Sequence, residues 1–140
     1  SRSQVNPSLP WERLGDCLRG WDLQDDHAAT TRTLVTRVLK RAGCPSDTAA
    51  HLAGVWVQVG DFLLADHGLL RADVVIGNPP YIRIQVLKEW APLEVEYYKR
   101  RYRAAGKGNY DIYVVFVEKG LSLLNERGRL LAIAREVAGA

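Results

Sequence analysis

The sequence predicts an α/β fold: a mostly parallel sheet with flanking helices. Three observations carry that reading. Short apolar, β-branched runs alternate along the chain with segments of helical periodicity. The run Ala72-Asp-Val-Val-Ile-Gly77 is nearly all apolar at its end, as expected of a strand covered on both faces of a parallel sheet. Polar and turn residues recur just past each predicted strand, where open α/β sheets place their ligands.

Each element follows from its residues. Residues 1 to 16 hold Pro7, Pro10 and Gly15 without periodicity and read as an irregular or short helical lead-in. Residues 17 to 140 carry the organised domain. Cys17-Leu-Arg-Gly-Trp-Asp22 is a short strand ending in an acidic cluster, and Ala28, Leu34, Val35, Val38 and Leu39 recur at helical spacing up to Gly43 and Pro45. A short helix over 47 to 54, capped by Ser46 or Asp47, precedes a second strand, Val55-Trp-Val-Gln-Val-Gly60. Ala72 to Gly77 is the third strand, ended by Pro79 and Pro80. Val86 to Arg103 is aromatic and charged, broken by Pro92, and Gly106-Lys-Gly108 reads as a mobile loop. Tyr110, Tyr113, Val114, Val117, Leu121 and Leu124 mark a helix face, with Asn109 placed to cap its start and Gly128 to follow its end. Arg129-Leu-Leu-Ala-Ile-Ala134 is the fourth strand.

Composition bounds the function classes. A chain of 140 residues, 47% hydrophobic, fits one globular domain and sets aside disordered and fibrous classes. Cys17 and Cys44 stand far apart without metal-ligand spacing, which argues against a disulfide framework and for a reducing compartment, the cytoplasm. No apolar run approaches the roughly 20 residues that span a bilayer, and Ser1-Arg-Ser-Gln4 lacks the apolar core of a signal peptide, so a soluble protein is expected. The net charge of +3 is mild, but Lys99, Arg100, Arg101, Arg103 and Lys107 fall within nine positions, which suits either a solvated helix face or a phosphate contact. His27, His51 and His67 have no mutual metal spacing and read as surface or cap residues.

The chemistry-bearing positions lie past the strands: Asp22, Asp61-Phe62 and Asn78-Pro-Pro-Tyr81. A carboxylate at a strand end, here Asp22, can accept from both hydroxyls of a ribose; the competing reading is an acidic residue near the start of the next helix. Asp61 beside Phe62 suits an adenine amino group against a ring wall, or equally a strand-end turn before a core phenylalanine. Asn78-Pro-Pro-Tyr81 is more specific, since such a run arises by chance in on the order of one in several thousand chains of this length. An exocyclic adenine amine is a poor nucleophile because its lone pair is delocalised into the ring. The Asn78 side-chain oxygen and the Pro79 carbonyl are two acceptors able to draw that nitrogen toward tetrahedral geometry, and proline's fixed φ presets the turn, as Pro80 does beside it. Tyr81 then offers a flat ring for a base flipped out of a duplex.

With these residues in view, the segment Asp73 to Ile133 resembles the amino-DNA methyltransferases, especially the adenine-N6 enzymes of type II and fused restriction-modification systems and their phage-defence relatives. Beyond Asn78-Pro-Pro-Tyr81, the resemblance rests on Gly108-Asn-Tyr-Asp-Ile-Tyr113, Phe116, Glu118 and Gly128-Arg-Leu-Leu131, with weaker matches at Gly20-Trp-Asp22 and Gly60-Asp-Phe-Leu63. It implies a partial Rossmann-like methyltransferase fold and methyl transfer from S-adenosylmethionine to adenine N6 in DNA. Asp22, Asp61 and Phe62 would hold S-adenosylmethionine, and Asn78, Pro79, Pro80 and Tyr81 the target adenine. Asp111 and Tyr113 would brace the catalytic loop, although Tyr113 on an apolar helical face also suits a core role.

The family's glycine-rich cofactor loop belongs upstream of Asp22, and residues 1 to 16 contain only Gly15. The expectation is therefore a fragment of a longer catalytic domain that binds cofactor poorly and is inactive alone. Its sheet would be split where the family's first strand belongs, leaving apolar edges open to self-association or to another chain. Two other readings stand beside this one: an N-methyltransferase acting on a protein glutamine or an RNA guanine, and a non-catalytic scaffold. The continuation Asn109-Tyr-Asp-Ile-Tyr113 with Phe116 and Glu118 favours DNA.

Overall fold

A computed structural model describes residues 10 to 133. The expectations for residues 1 to 9 and for Ala134 as a strand residue lie outside that range. The architecture is α/β: parallel strand pairs with flanking helices. Two compact units meet in sequence at Ala65 and Asp66.

In the first unit a 3-10 helix, Trp11–Asp16, leads to strand β1 (Gly20–Asp22), helix α1 (Asp25–Arg41), helix α2 (Ser46–Trp56) and strand β2 (Val57–Val59). β1 and β2 are parallel, with Gly20 opposite Val57 and Asp22 opposite Val59. Of the expected lead-in, residues 10 to 16 are described, and Trp11–Asp16 among them is a short 3-10 helix. α2 corrects the sequence reading at both ends. It starts behind Pro45 without a side-chain cap from Ser46 or Asp47. It also runs on through Val55 and Trp56, because Leu52, Ala53 and Trp56 share its buried face and the Trp56 indole N–H donates to the Leu14 carbonyl at 2.9 Å. Burial on a helical period outweighs the alternating pattern that predicts a strand there.

Ala28, Leu39, Cys44, Ala49, Leu52, Trp56 and Val57 form the core of this unit, with Trp11, Leu14, Val35 and Val55 packed against it. Each large side chain buried contributes about 1.5–3 kcal/mol. Arg32 ties α1 to β2, donating through Nε (2.9 Å) and Nη2 (2.7 Å) to the Val57 carbonyl.

In the second unit strand β3 (Ala72–Gly77) is followed by helices α3 (Ile84–Trp90) and α4 (Pro92–Arg101), a short 3-10 turn (Arg103–Ala105), helix α5 (Ile112–Ser122) and strand β4 (Leu124–Ala132). Pro92 occupies the first turn of α4, where its missing N–H costs nothing, so it separates two helices instead of breaking one. β3 and β4 are parallel, with Val75 opposite Leu130 and Gly77 opposite Ala132.

Three expectations change here. Asp111, not Asn109, caps α5, because its carboxylate accepts from the Tyr113 N–H at 2.9 Å and its backbone is held extended in a bridge to Arg83. The helix ends at Ser122, Leu124 already begins β4, and Gly128 lies inside that strand, where an added Cβ would stand 3.0 Å from the Ala72 carbonyl oxygen. β3 is not covered on both faces: Val74 is 56% and Ile76 75% exposed. Val75 is only partly exposed, on the side where Gly120 of α5 comes close enough that a Cβ would lie 3.3 Å from it. A single packed helix covers one face of a two-stranded sheet, and alternate residues remain outside.

Among the described residues β1 pairs with β2 and β3 with β4, giving two separate sheets. No helix among the described residues is long and apolar enough to cross a membrane.

Candidate functional site

Both groups of predicted site residues lie at the carboxyl ends of parallel strands. In the first unit Asp22 ends β1 and Asp61-Phe62 follows β2. The structure brings these together, since strand pairing continues past both ends: the Gly60 N–H donates to the Asp22 carbonyl at 2.9 Å. The Asp22 side chain is 38% exposed. Its Oδ1 accepts from the Gln24 N–H at 3.0 Å, with His27 Nδ1 at 3.9 Å. Asp61 Oδ1 accepts from the Leu63 N–H at 2.8 Å, which closes the turn beyond β2. The Phe62 ring lies 5.7 Å from that of Trp21, tilted by 54°. Two partly buried carboxylates, both hydrogen-bond acceptors, and an aromatic ring therefore share the carboxyl-terminal edge of this strand pair.

In the second unit Asn78, Pro79, Pro80 and Tyr81 leave the end of β3 as a turn. Asn78 and Pro80 are exposed, Pro79 is buried, and Tyr81 is 39% exposed. The Asn78 amide is thus accessible and not packed into the interior. The turn is fastened at both ends by one residue that sequence reasoning missed, Ile133. Its N–H donates to the Gly77 carbonyl at 3.0 Å, and its own carbonyl accepts from the Tyr81 hydroxyl. Because a main-chain carbonyl does this, no side chain advertises it.

The ring of Tyr81 is stacked on Tyr113 of α5, with centroids 5.5 Å apart and planes 16° apart. Past Tyr81 the chain is clamped again. The Ile84 N–H donates to the Tyr110 carbonyl and the Ile112 N–H to the Ile82 carbonyl, both at 2.9 Å. The segment Gly108 to Tyr113 therefore works as a bracket: its backbone pairs with residues 82 to 84, Asp111 caps α5, and Tyr113 supports Tyr81. Glu118 has a separate task. Its carboxylate accepts from the N–H groups of Arg103 (2.9 Å) and Ala104 (2.7 Å), fixing the turn after α4 to α5.

Comparisons with known proteins place the chain in a family. Residues 64–137 match the family model described as Eco57I restriction-modification methylase. The chain is 40% identical over 118 residues to type II methyltransferase M.PaeR7I of Pseudomonas aeruginosa, covering 84% of this chain and 20% of that protein. It is 31% identical over 132 residues to M.BstVI of Geobacillus stearothermophilus, covering 92% of this chain and 23% of that protein. It is 34% identical over 124 residues to M.XhoI of Xanthomonas vasicola, covering 85% and 21%. The chain thus spans about a fifth of the length of these curated relatives. No solved structure matches it. On the family model's match to more than half of its residues, the chain belongs to the Eco57I restriction-modification methylase family.

Proposed function

We infer that this chain is part of the catalytic domain of an S-adenosylmethionine-dependent enzyme that methylates adenine N6 in DNA. One observation carries the reading: Asn78 is exposed on a turn fastened by Ile133 at the end of a parallel strand pair, directly before an aromatic ring that is itself held in place. The relatives' names as type II methyltransferases support it.

Asn78 Oδ1 and the Pro79 carbonyl accept the two N–H groups of the exocyclic amine, withdrawing its lone pair from the ring and raising its nucleophilicity. Their fixed turn spares reorganisation as charge develops. Tyr81 supplies the surface on which the base stacks, contributing about 1–3 kcal/mol toward the cost of flipping it out. Pro80 sets the path between them. S-adenosylmethionine, when bound, supplies an electrophilic methyl group on a sulfonium centre. Asp22 would hold its ribose hydroxyls and Asp61 with Phe62 its adenine; Asp22 fits this, since Oδ1 is engaged by a backbone N–H and the carboxylate remains partly open to solvent. Residues 17 to 140 are the portion of the catalytic domain in this reading, acting on DNA in the cytoplasm. The edges of its two-stranded sheets favour self-association.

The test uses the full-length gene product. Incubation with DNA and labelled S-adenosylmethionine is expected to give N6-methyladenine, and Asn78→Ala to reduce the rate at least about 100-fold, the scale of removing one preorganised hydrogen-bonding group from the transition state. Equal yield from the two proteins would remove this mechanism.

A further inference from the structure

Lys99, Arg100, Arg101, Arg103 and Lys107 stand at the end of α4 and in the loop after it, and all five are exposed. Lys99 is engaged by Glu96, its Nζ 2.9 Å from Oε1. Among the described residues no carboxylate forms an ion pair with the other four. A helix C-terminus attracts cations, which accounts for Arg100 and Arg101 in the last turn of α4. It does not account for Arg103 and Lys107, which lie beyond the helix.

The backbone carrying Arg103 is fixed. Tyr102 and Ala105 are buried on either side of Arg103, and Glu118 holds the main-chain N–H groups of Arg103 and Ala104. The Glu118 carboxylate thus spends its hydrogen bonds on backbone and, among the described residues, makes no ion pair with the cluster. From Lys107 the chain runs directly into Tyr110, whose carbonyl receives the Ile84 N–H three residues past Tyr81. The cations are thus tied by a short stretch of main chain to the turn that would receive the base. Guanidinium groups on a fixed loop match phosphate oxygens in shape as well as charge.

We propose that Arg100, Arg101, Arg103 and Lys107 form a phosphate-binding surface for the DNA strand that presents the target adenine. The proposal rests on the methyltransferase reading above. These contacts position the strand without reading its sequence, and Glu118 acts on DNA only through the loop it holds.

The experiment measures binding of the full-length gene product to a duplex carrying its methylation site, as a function of salt. The variant Arg100→Gln/Arg101→Gln/Arg103→Gln/Lys107→Gln is expected to flatten the dependence of log affinity on log salt by about 0.9 for each phosphate no longer neutralised, so by about 3 to 4 when all four engage. A control, Arg37→Gln/Lys40→Gln/Arg41→Gln on α1, is expected to leave the slope unchanged. If the fourfold variant does not fold, Arg103→Gln and Lys107→Gln singly should each lower the slope by about 0.9. Wild-type methylation of DNA with an unchanged slope in the loop variants overturns the proposal and leaves the methyltransferase reading standing. So does an equal fall in the α1 control, which would reflect net charge alone. A wild-type protein that neither binds nor methylates DNA removes both.

Discussion

Tyr81 is held at two points: its ring lies parallel to that of Tyr113 at 5.5 Å, and its hydroxyl donates to the Ile133 carbonyl. On the proposed methyltransferase reading, a ring braced in this way stacks on the target base without first losing rotamer freedom. An aromatic pair contributes about 0.5–1.5 kcal/mol beyond its buried area, so Tyr113→Ala is expected to lower kcat/KM for DNA methylation by about 2- to 12-fold. Tyr113→Phe, which keeps the ring, should stay near wild type. Steady-state methylation by the full-length gene product and its two variants measures this, and equal rates for Tyr113→Ala and wild type would show that Tyr81 keeps its place unaided.

Glu118 is the joint between α5 and the turn after α4. Glu118→Ala removes the acceptor of two main-chain N–H groups, one of them half-buried, and is expected to cost about 1–3 kcal/mol of stability. Urea denaturation followed by circular dichroism checks the loss. Hydrogen exchange should show faster exchange at Arg103 and Ala104 than at amides within α1.

Two helical glycines are expected to respond in opposite directions. Gly54 in α2 has nothing within 4 Å of an added Cβ, so Gly54→Ala should stabilise by about 0.5–1 kcal/mol through helix propensity. At Gly120 in α5 the added Cβ would stand 2.5 Å from Leu130 Cδ1 and 3.3 Å from Val75 Cγ1. Leu130 can swing aside for a methyl group, but Gly120→Val presses a branched side chain onto both strands. A net loss of about 1–3 kcal/mol is expected there, measured as a lower denaturation midpoint.

Cys17 is exposed and Cys44 buried. Burial, reinforced by the negative charge of Glu12, raises the Cys44 pKa above that of an ordinary thiol. At pH 8 iodoacetamide should therefore modify Cys17 first, and Cys44 only on unfolding. Because the folded-state pKa is raised, the stability linked to Cys44 is complete below the unfolded-state value and declines as pH rises through the folded one. Mass spectrometry of timed quenches separates the two thiols, and equal modification rates would contradict the buried placement.

The parts of the fold legible in sequence were those that local pattern specifies. The apolar periodicity of Ala28, Leu34, Val35, Val38 and Leu39 located α1, although Leu34 and Val38 lie exposed, and the run Ala72 to Gly77 located β3 to the residue. The errors fall where local signals compete with packing. Val55 and Trp56 alternate like a strand yet remain helical because Trp56 is drawn into the core beside Leu52. Asn109 is a good capping residue, but the bridge between Arg83 and Asp111 carries the extended chain two residues further.

Sequence by itself determined the chemistry on offer: Asn78, Pro79, Pro80 and Tyr81 on a turn after a strand, and Asp22, Asp61 and Phe62 after two others. It did so because residue identity fixes donors, acceptors and the φ of proline wherever the chain goes. Only the tertiary structure decided what holds that chemistry still. The Ile133 carbonyl under Tyr81, the parallel ring of Tyr113 and the grip of Glu118 on the loop all join residues at least 14 positions apart. Such pairings depend on which segments pack together, and two of these three use main-chain atoms that every residue carries.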